Sequence, residues 1–142
     1  YFNSKRVWFV TLSSLQQDHI PSDFGVIIID EASQCLEPLC IAALDKAKKF
    51  VLIGDYEQLQ PLVKSPEAAE KGMSISLFES LCKKYPYLTT PLKKQYRMCE
   101  EIMALSNSLV YNGLLEAADE TTRKMRLKPN LEIFSCLPSG IK

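Results

Sequence analysis

The stretch Phe24-Gly25-Val26-Ile27-Ile28-Ile29-Asp30-Glu31-Ala32-Ser33 decides the architecture. Residues 26–29 are apolar without interruption and β-branched. That is the pattern of a strand buried on both faces of a parallel sheet, because a strand with one wet face would alternate. Two carboxylates follow directly. Ligands of open parallel sheets bind beyond the carboxyl ends of the strands, so topology alone places Asp30 and Glu31 where chemistry happens. Phe50-Val51-Leu52-Ile53-Gly54-Asp55 repeats the design, an apolar run closing on an aspartate. Between the two runs, Glu37-Pro38 suits a first helical turn, and Leu36, Cys40, Ala43, Leu44 and Ala47 recur at helical spacing. Strand, crossover helix and parallel strand make one right-handed βαβ unit. The expected fold class is therefore α/β.

Working outward, residues 7–12 carry a third strand signal and residues 63–74 read as a polar connector. A helix is expected from Ser76, where Ser76 and Glu79 have capping-box spacing, packing through Leu77, Phe78 and Leu81. Residues 88–92 suit a strand that Pro91 confines to an edge. A further helix is predicted from Cys99 to Tyr111. It has acids in its first turn, an apolar face of Ile102, Leu105 and Leu109, and a stop at Asn112-Gly113. Residues 117–128 receive no assignment, and residues 131–136 read as a strand.

The bulk properties exclude several classes. At 142 residues, 46% hydrophobic and 24% charged, the chain suits one domain or part of one. No apolar run approaches the roughly 20 residues of a membrane span, and no membrane partner is expected. The five cysteines form no C-x-x-C pair, which argues against a zinc site or a disulfide framework and for reduced thiols inside the cell. His19 has no evident ligand partners. Net charge is zero; the basic clusters at Lys46/Lys48/Lys49, Lys83/Lys84, Lys93/Lys94 and 123–128 read singly as solvated surface. Starting on Tyr1 and stopping at Lys142, the sequence has the look of an excerpt at both ends.

Three constellations carry chemistry. Moving a phosphoryl group from a nucleotide to water needs a carboxylate near Mg²⁺ and a group that orients or deprotonates the water. Mg²⁺ keeps several waters, so one protein carboxylate suffices; Asp30 is suited to the metal and Glu31 to the water. Gly54-Asp55-Tyr56-Glu57-Gln58-Leu59-Gln60-Pro61 follows one βαβ unit later. Gln58 there is a neutral donor and acceptor able to respond to a γ-phosphate or a bound water. Gln95-Tyr96-Arg97-Met98 adds an arginine able to stabilise transition-state charge. Each has a plainer reading: a helix cap with an exposed acid, a loop, and a surface ion pair.

In that order, Asp30-Glu31-Ala32-Ser33, Gly54-Asp55 with Gln58, Leu59 and Pro61, and Gln95-Tyr96-Arg97-Met98 resemble motifs II, III and IV of superfamily 1 helicases of the 5′-to-3′ type. The group includes the RNA helicase of nonsense-mediated decay, and the likeness covers about residues 7–115. The connecting text, from Glu67-Ala68 through Gly72-Met73-Ser74-Ile75-Ser76-Leu77-Phe78 and again over residues 102–116, is most similar to the eukaryotic DNA replication helicase/nuclease branch. Cys99-Glu100 stands where RNA-helicase relatives usually have His-Pro, which favours that branch.

The resemblance implies a RecA-like P-loop NTPase fold. Residues 1–92 would be the C-terminal half of the first motor domain, and residues 93–142 the motif IV region and the beginning of the second. It implies ATP and Mg²⁺ as cofactors, with Asp30 holding the metal through water and Glu31 as catalytic base. Gln58 would couple nucleotide state to the track, and Arg97 would contact the γ-phosphate. Thr11-Leu12-Ser13-Ser14 resembles motif Ic, which gives Thr11 and Ser13 phosphate contacts on single-stranded DNA; the plainer reading is a polar turn at a strand end. The implied protein is a nuclear enzyme, with a mitochondrial form as a variant. It would act on flaps or resected ends alongside a single-strand-binding protein, and its nuclease part would hold an iron–sulfur cluster.

Two features depart from the pattern. Gln60 stands where many relatives have Pro or Gly, and no G-x-x-x-x-G-K-[ST] phosphate loop occurs anywhere in the 142 residues. The alternatives that stay open are a 5′-to-3′ RNA or RNA–DNA helicase, and a non-catalytic nucleic-acid-binding module that has lost nucleotide binding.

Overall fold

Parallel pairing of the two aspartate-terminated runs organises the first part of the chain. A computed structural model of the protein describes residues 5–125, and the chain divides into two compact units, Tyr1–Thr89 and Thr90–Lys142. In the first unit β1 (Ile27–Ile29) lies parallel to β2 (Phe50–Leu52), with Ile27 opposite Phe50, Ile28 opposite Val51 and Ile29 opposite Leu52. The crossover between them is α1 (Glu37–Leu44), with Pro38 in its first turn. Cys40 and Ala43, on its inner face, are fully buried. They join Leu15, Ile20, Ile29 and Ala32 in the core, with Trp8, Phe24, Leu77 and Phe78 packed around them.

Among the described residues the sheet is covered on one face, where strands buried on both sides were expected. Ile29 is 4% exposed, whereas its neighbour Ile28 is 65% exposed and Val51 47%. Among the described residues, helical elements pack on the Ile29 side. Residues 7–12 differ from the expectation of a strand: they are irregular and lead through a turn into a 3₁₀ segment at Ser14–Gln16, and Phe9 on them is 95% exposed. A β-rich composition makes a strand only where a neighbour supplies the ladder.

After β2 the polar connector is partly helical. α2 (Pro66–Ala68) starts from Ser65, whose hydroxyl accepts from the Ala68 N–H, and runs into a wide turn at Ala69–Met73 that ends at Gly72 with φ 96°. α3 (Leu77–Lys84) begins as expected at Ser76; the fully buried Ser76 hydroxyl accepts from the Glu79 N–H at 3.1 Å. The Glu79 carboxylate bonds instead to Lys83 at 2.7 Å, an i,i+4 pair rather than the reciprocal half of a capping box. Residues 88–92 form no strand: Pro86–Leu88 is a 3₁₀ turn and the exposed chain continues irregularly.

The second unit contains β3 (Lys94–Gln95) and β4 (Glu116–Ala117), a short parallel pair. Between them α4 (Glu100–Ser106) widens into a π-helical turn at Asn107–Tyr111 and stops at Asn112 and Gly113, both with positive φ. Asn107 clamps the return strand, donating to the Leu115 carbonyl and accepting from the Leu115 N–H, each at 2.9 Å. α5 (Glu120–Arg123) follows, capped by Asp119. The strand expected at residues 131–136 lies outside the described residues. No helix among those described is long and apolar enough to cross a membrane.

Candidate functional site

The acidic pair sits where β1 ends, and the backbone there is strained. Glu31 adopts the left-handed conformation, φ 52° and ψ 38°, before a 3₁₀ turn at Ala32–Gln34. A non-glycine residue in this region costs roughly 1–3 kcal/mol and persists only where its surroundings enforce it. Three contacts do so. The Ala32 N–H donates to the Ile53 carbonyl at 2.8 Å. The Asp55 N–H donates to the buried Ser33 hydroxyl at 3.4 Å. Gly54 lies so close that a Cβ on it would stand 2.9 Å from the Ser33 nitrogen. The loop after β1 is thus clamped onto the loop after β2.

Both carboxylates face solvent. Asp30 Oδ1 accepts from the Glu31 N–H at 3.0 Å, and among the described residues its Oδ2 has no partner. Glu31 Oε2 accepts from the Gln34 side-chain amide at 3.0 Å. Gln34 drew no attention in the sequence, although a glutamine three residues after a glutamate across a 3₁₀ turn can reach it.

The third member, Gln58, is on the clamped loop and exposed; its Nε2 donates to Asp55 Oδ2 at 2.7 Å, while Asp55 Oδ1 accepts from the Glu57 N–H at 3.0 Å. Asp55 therefore shapes the loop that displays Gln58. Tyr56 braces the same loop from below, its ring 6.3 Å from that of Phe78 on α3 and beneath the Lys83 ammonium at 5.9 Å.

Arg97 belongs to the second unit. It is exposed, and its guanidinium has no hydrogen bond or ion pair among the described residues. Arg123 of that unit, by contrast, pairs with Glu120 at 3.1 Å and Glu100 at 3.9 Å. Thr11 is engaged locally: its hydroxyl accepts from the Ser14 N–H at 3.1 Å and lies 2.9 Å from the Ser14 hydroxyl. Ser13 is exposed beside it. Asp30 and Glu31 thus lie on one, and Gln58 on the other, of two loops in contact within one unit, while Thr11 and Ser13 lie on a separate turn of it.

Among the described residues no group of three or more His, Cys, Asp or Glu could hold a metal ion by itself. One open carboxylate oxygen at a strand end does suit Mg²⁺, which keeps its waters and takes further oxygens from nucleotide phosphates. Burial pushes the Cys40 thiol up to about 11 and raises Cys35 as well, so both are protonated and poor nucleophiles at neutral pH.

Profiles of two families, each described as an AAA domain, match residues 1–66 and 73–136. The chain is 44% identical over 118 residues, 82% of its length, to a DNA replication ATP-dependent helicase/nuclease of Schizosaccharomyces pombe. It is 53% identical over 97 residues, 68% of its length, to a protein of the same description from Xenopus laevis. An uncharacterized ATP-dependent helicase of Methanocaldococcus jannaschii is 43% identical over 105 residues, 74% of the chain. The matched part amounts to 8%, 9% and 15% of those three relatives. An α/β chain with small parallel sheets and two AAA matches fits a P-loop NTPase.

Proposed function

We propose that this chain, whose two parts match two AAA-domain families and which is 44% and 53% identical to DNA replication ATP-dependent helicase/nucleases of two species, is part of an ATP-driven DNA helicase motor translocating on single-stranded DNA. Residues 1–92 are read as the C-terminal half of a first RecA-like domain, and residues 93–142 as the motif IV region and the start of a second. One observation carries the reading most directly: the strained Glu31 loop, with Asp30 beside it, is clamped to the loop bearing Gln58 through Ala32, Ser33 and Gly54. A hydrolytic site needs such registration, since its gain comes from groups held in place before the reaction.

Asp30 would hold Mg²⁺ through water, and Arg97 and Gln58 would meet the terminal phosphate of ATP. Bound Mg²⁺ supplies neutralisation of charge on the phosphate oxygens. Glu31 takes the proton of the attacking water at a carboxylate oxygen, while Gln34 fixes that carboxylate through Oε2. Gln58, tethered to Asp55, reports phosphate state to the track, where Thr11 and Ser13 would touch the DNA backbone. Such contacts hold a strand without reading its sequence. The substrate is read as a flap or a resected end in the nucleus, shared with a single-strand-binding protein. The nuclease and its iron–sulfur cluster would lie elsewhere in the parent.

Glu31→Gln in the full-length protein is the test. It should lower ATP turnover by about 10²–10⁴-fold, the usual weight of a positioned base, while nucleotide affinity stays near that of the unaltered protein. Normal turnover would remove the base assignment.

A further inference from the structure

Arg97 protrudes without a partner among the described residues, yet its loop is not loose. The whole hydrogen-bonding capacity of one side chain, Gln95, is spent on shaping it. Gln95 Oε1 accepts from the Arg97 N–H at 2.9 Å and from the Met98 N–H at 2.7 Å. Gln95 Nε2 donates to the Met98 carbonyl at 2.8 Å and lies 3.4 Å from the Met103 sulfur on α4. A primary amide has two acceptor lone pairs and two donor hydrogens, and all four are engaged. The residue itself is anchored in β3, where its carbonyl accepts from the Ala118 N–H at 3.0 Å. Sheet, amide and helix thus meet at Gln95, and the arginine loop is folded around that amide.

We propose that Gln95 is the positioning residue that presents Arg97 to the terminal phosphate of a bound nucleoside triphosphate. The inference rests on the reading of Arg97 given above and adds what makes that arginine competent. The chemistry asks for glutamine specifically. Glutamate keeps the accepting oxygen but replaces the donating amide nitrogen with a second carboxylate oxygen facing the Met98 carbonyl. Asparagine is one methylene too short to reach the same atoms. Methionine keeps the length and loses every polar bond.

The experiment uses the full-length protein and measures affinity for a non-hydrolysable ATP analogue and for ADP, together with the melting temperature. Arg97→Ala tests the underlying reading and should weaken the analogue by roughly 10–100-fold, as expected for losing a charged hydrogen bond, with ADP affinity unchanged. Gln95→Met should reproduce that selective loss, and the double variant should add little to it, because coupled residues are not additive. Gln95→Glu, retaining the bonds to the Arg97 and Met98 N–H groups, should recover part of the affinity. If Arg97→Ala loses the analogue selectively and Gln95→Met does not, the positioning role is overturned and the arginine reading stands. If Gln95→Met weakens ADP and the analogue alike, its role is structural and the proposal is overturned. If Arg97→Ala leaves the analogue unaffected, the arginine reading fails, and the proposal with it.

Discussion

A methyl group at position 54 would stand 2.9 Å from the Ser33 nitrogen and 3.3 Å from that of Ala32, and neither backbone atom can swing away. Gly54→Ala should therefore push apart the two loops that carry Glu31 and Gln58, at a cost of about 1–3 kcal/mol. In the full-length protein ATP turnover should fall with it. Gly25→Ala is the control, because nothing lies within 4 Å of a Cβ there. Equal stability and turnover in the two variants, by urea unfolding and ATPase assay, would dismiss the clamp. At this scale the sequence was informative about kinds of residue and silent about their neighbours. Asp30, Glu31, Gln58 and Arg97 stood out because acids at strand ends and ordered motifs are visible in one dimension. Gln34, Ser33, Asp55 and Gln95 act through contacts that depend on a left-handed residue at 31 and a tight loop at 95–98. No periodicity announces either one.

Elements were legible in proportion to how local their causes are. The helices from Glu37 and Ser76 begin where proline and serine said they would, since caps are decided within four residues. The helix expected from Cys99 to Tyr111 takes shape as α4 and a π-helical turn, with the stop at Asn112-Gly113. Strands were harder: residues 7–12 and 88–92 have strand-like composition and no ladder, and the two-residue β3 and β4 are too short to leave a pattern. α5 was missed because its signal is a single residue, Asp119, which accepts from the Thr122 N–H at 2.7 Å and its hydroxyl at 2.8 Å. Those bonds hold the Asp119 carboxyl below its ordinary 3.8. A depressed carboxyl stabilises the fold above its unfolded value and loses that contribution as pH falls through the folded one. Acid titration followed by amide exchange should thus show α5 loosening below pH 3.8, and Asp119→Asn, which caps without a charge, should remove that dependence. A loss of protection in the variant with the same acid profile would refute the assignment.

For the molecule as a whole, the proposed reading gives these residues the acidic side of a nucleotide site, while no G-x-x-x-x-G-K-[ST] loop occurs among them. Backbone amides of such a loop cradle the β- and γ-phosphates, so the 142 residues alone should hydrolyse no ATP above buffer, with or without single-stranded DNA. Measurable turnover by the purified chain would contradict the division of labour proposed here. One face of the β1–β2 sheet points to further consequences. Val26, Ile28 and Val51, which share one face by the strand register, lie between 47% and 65% exposed, an apolar strip of the kind that invites association. Handled in isolation, the chain is therefore expected to stick to itself: sedimentation velocity should report association that rises with protein concentration and recedes when Ile28 and Val51 are replaced by threonine. For anyone preparing this region, solubility then becomes a question of where the boundaries are drawn, more than of buffer or tag.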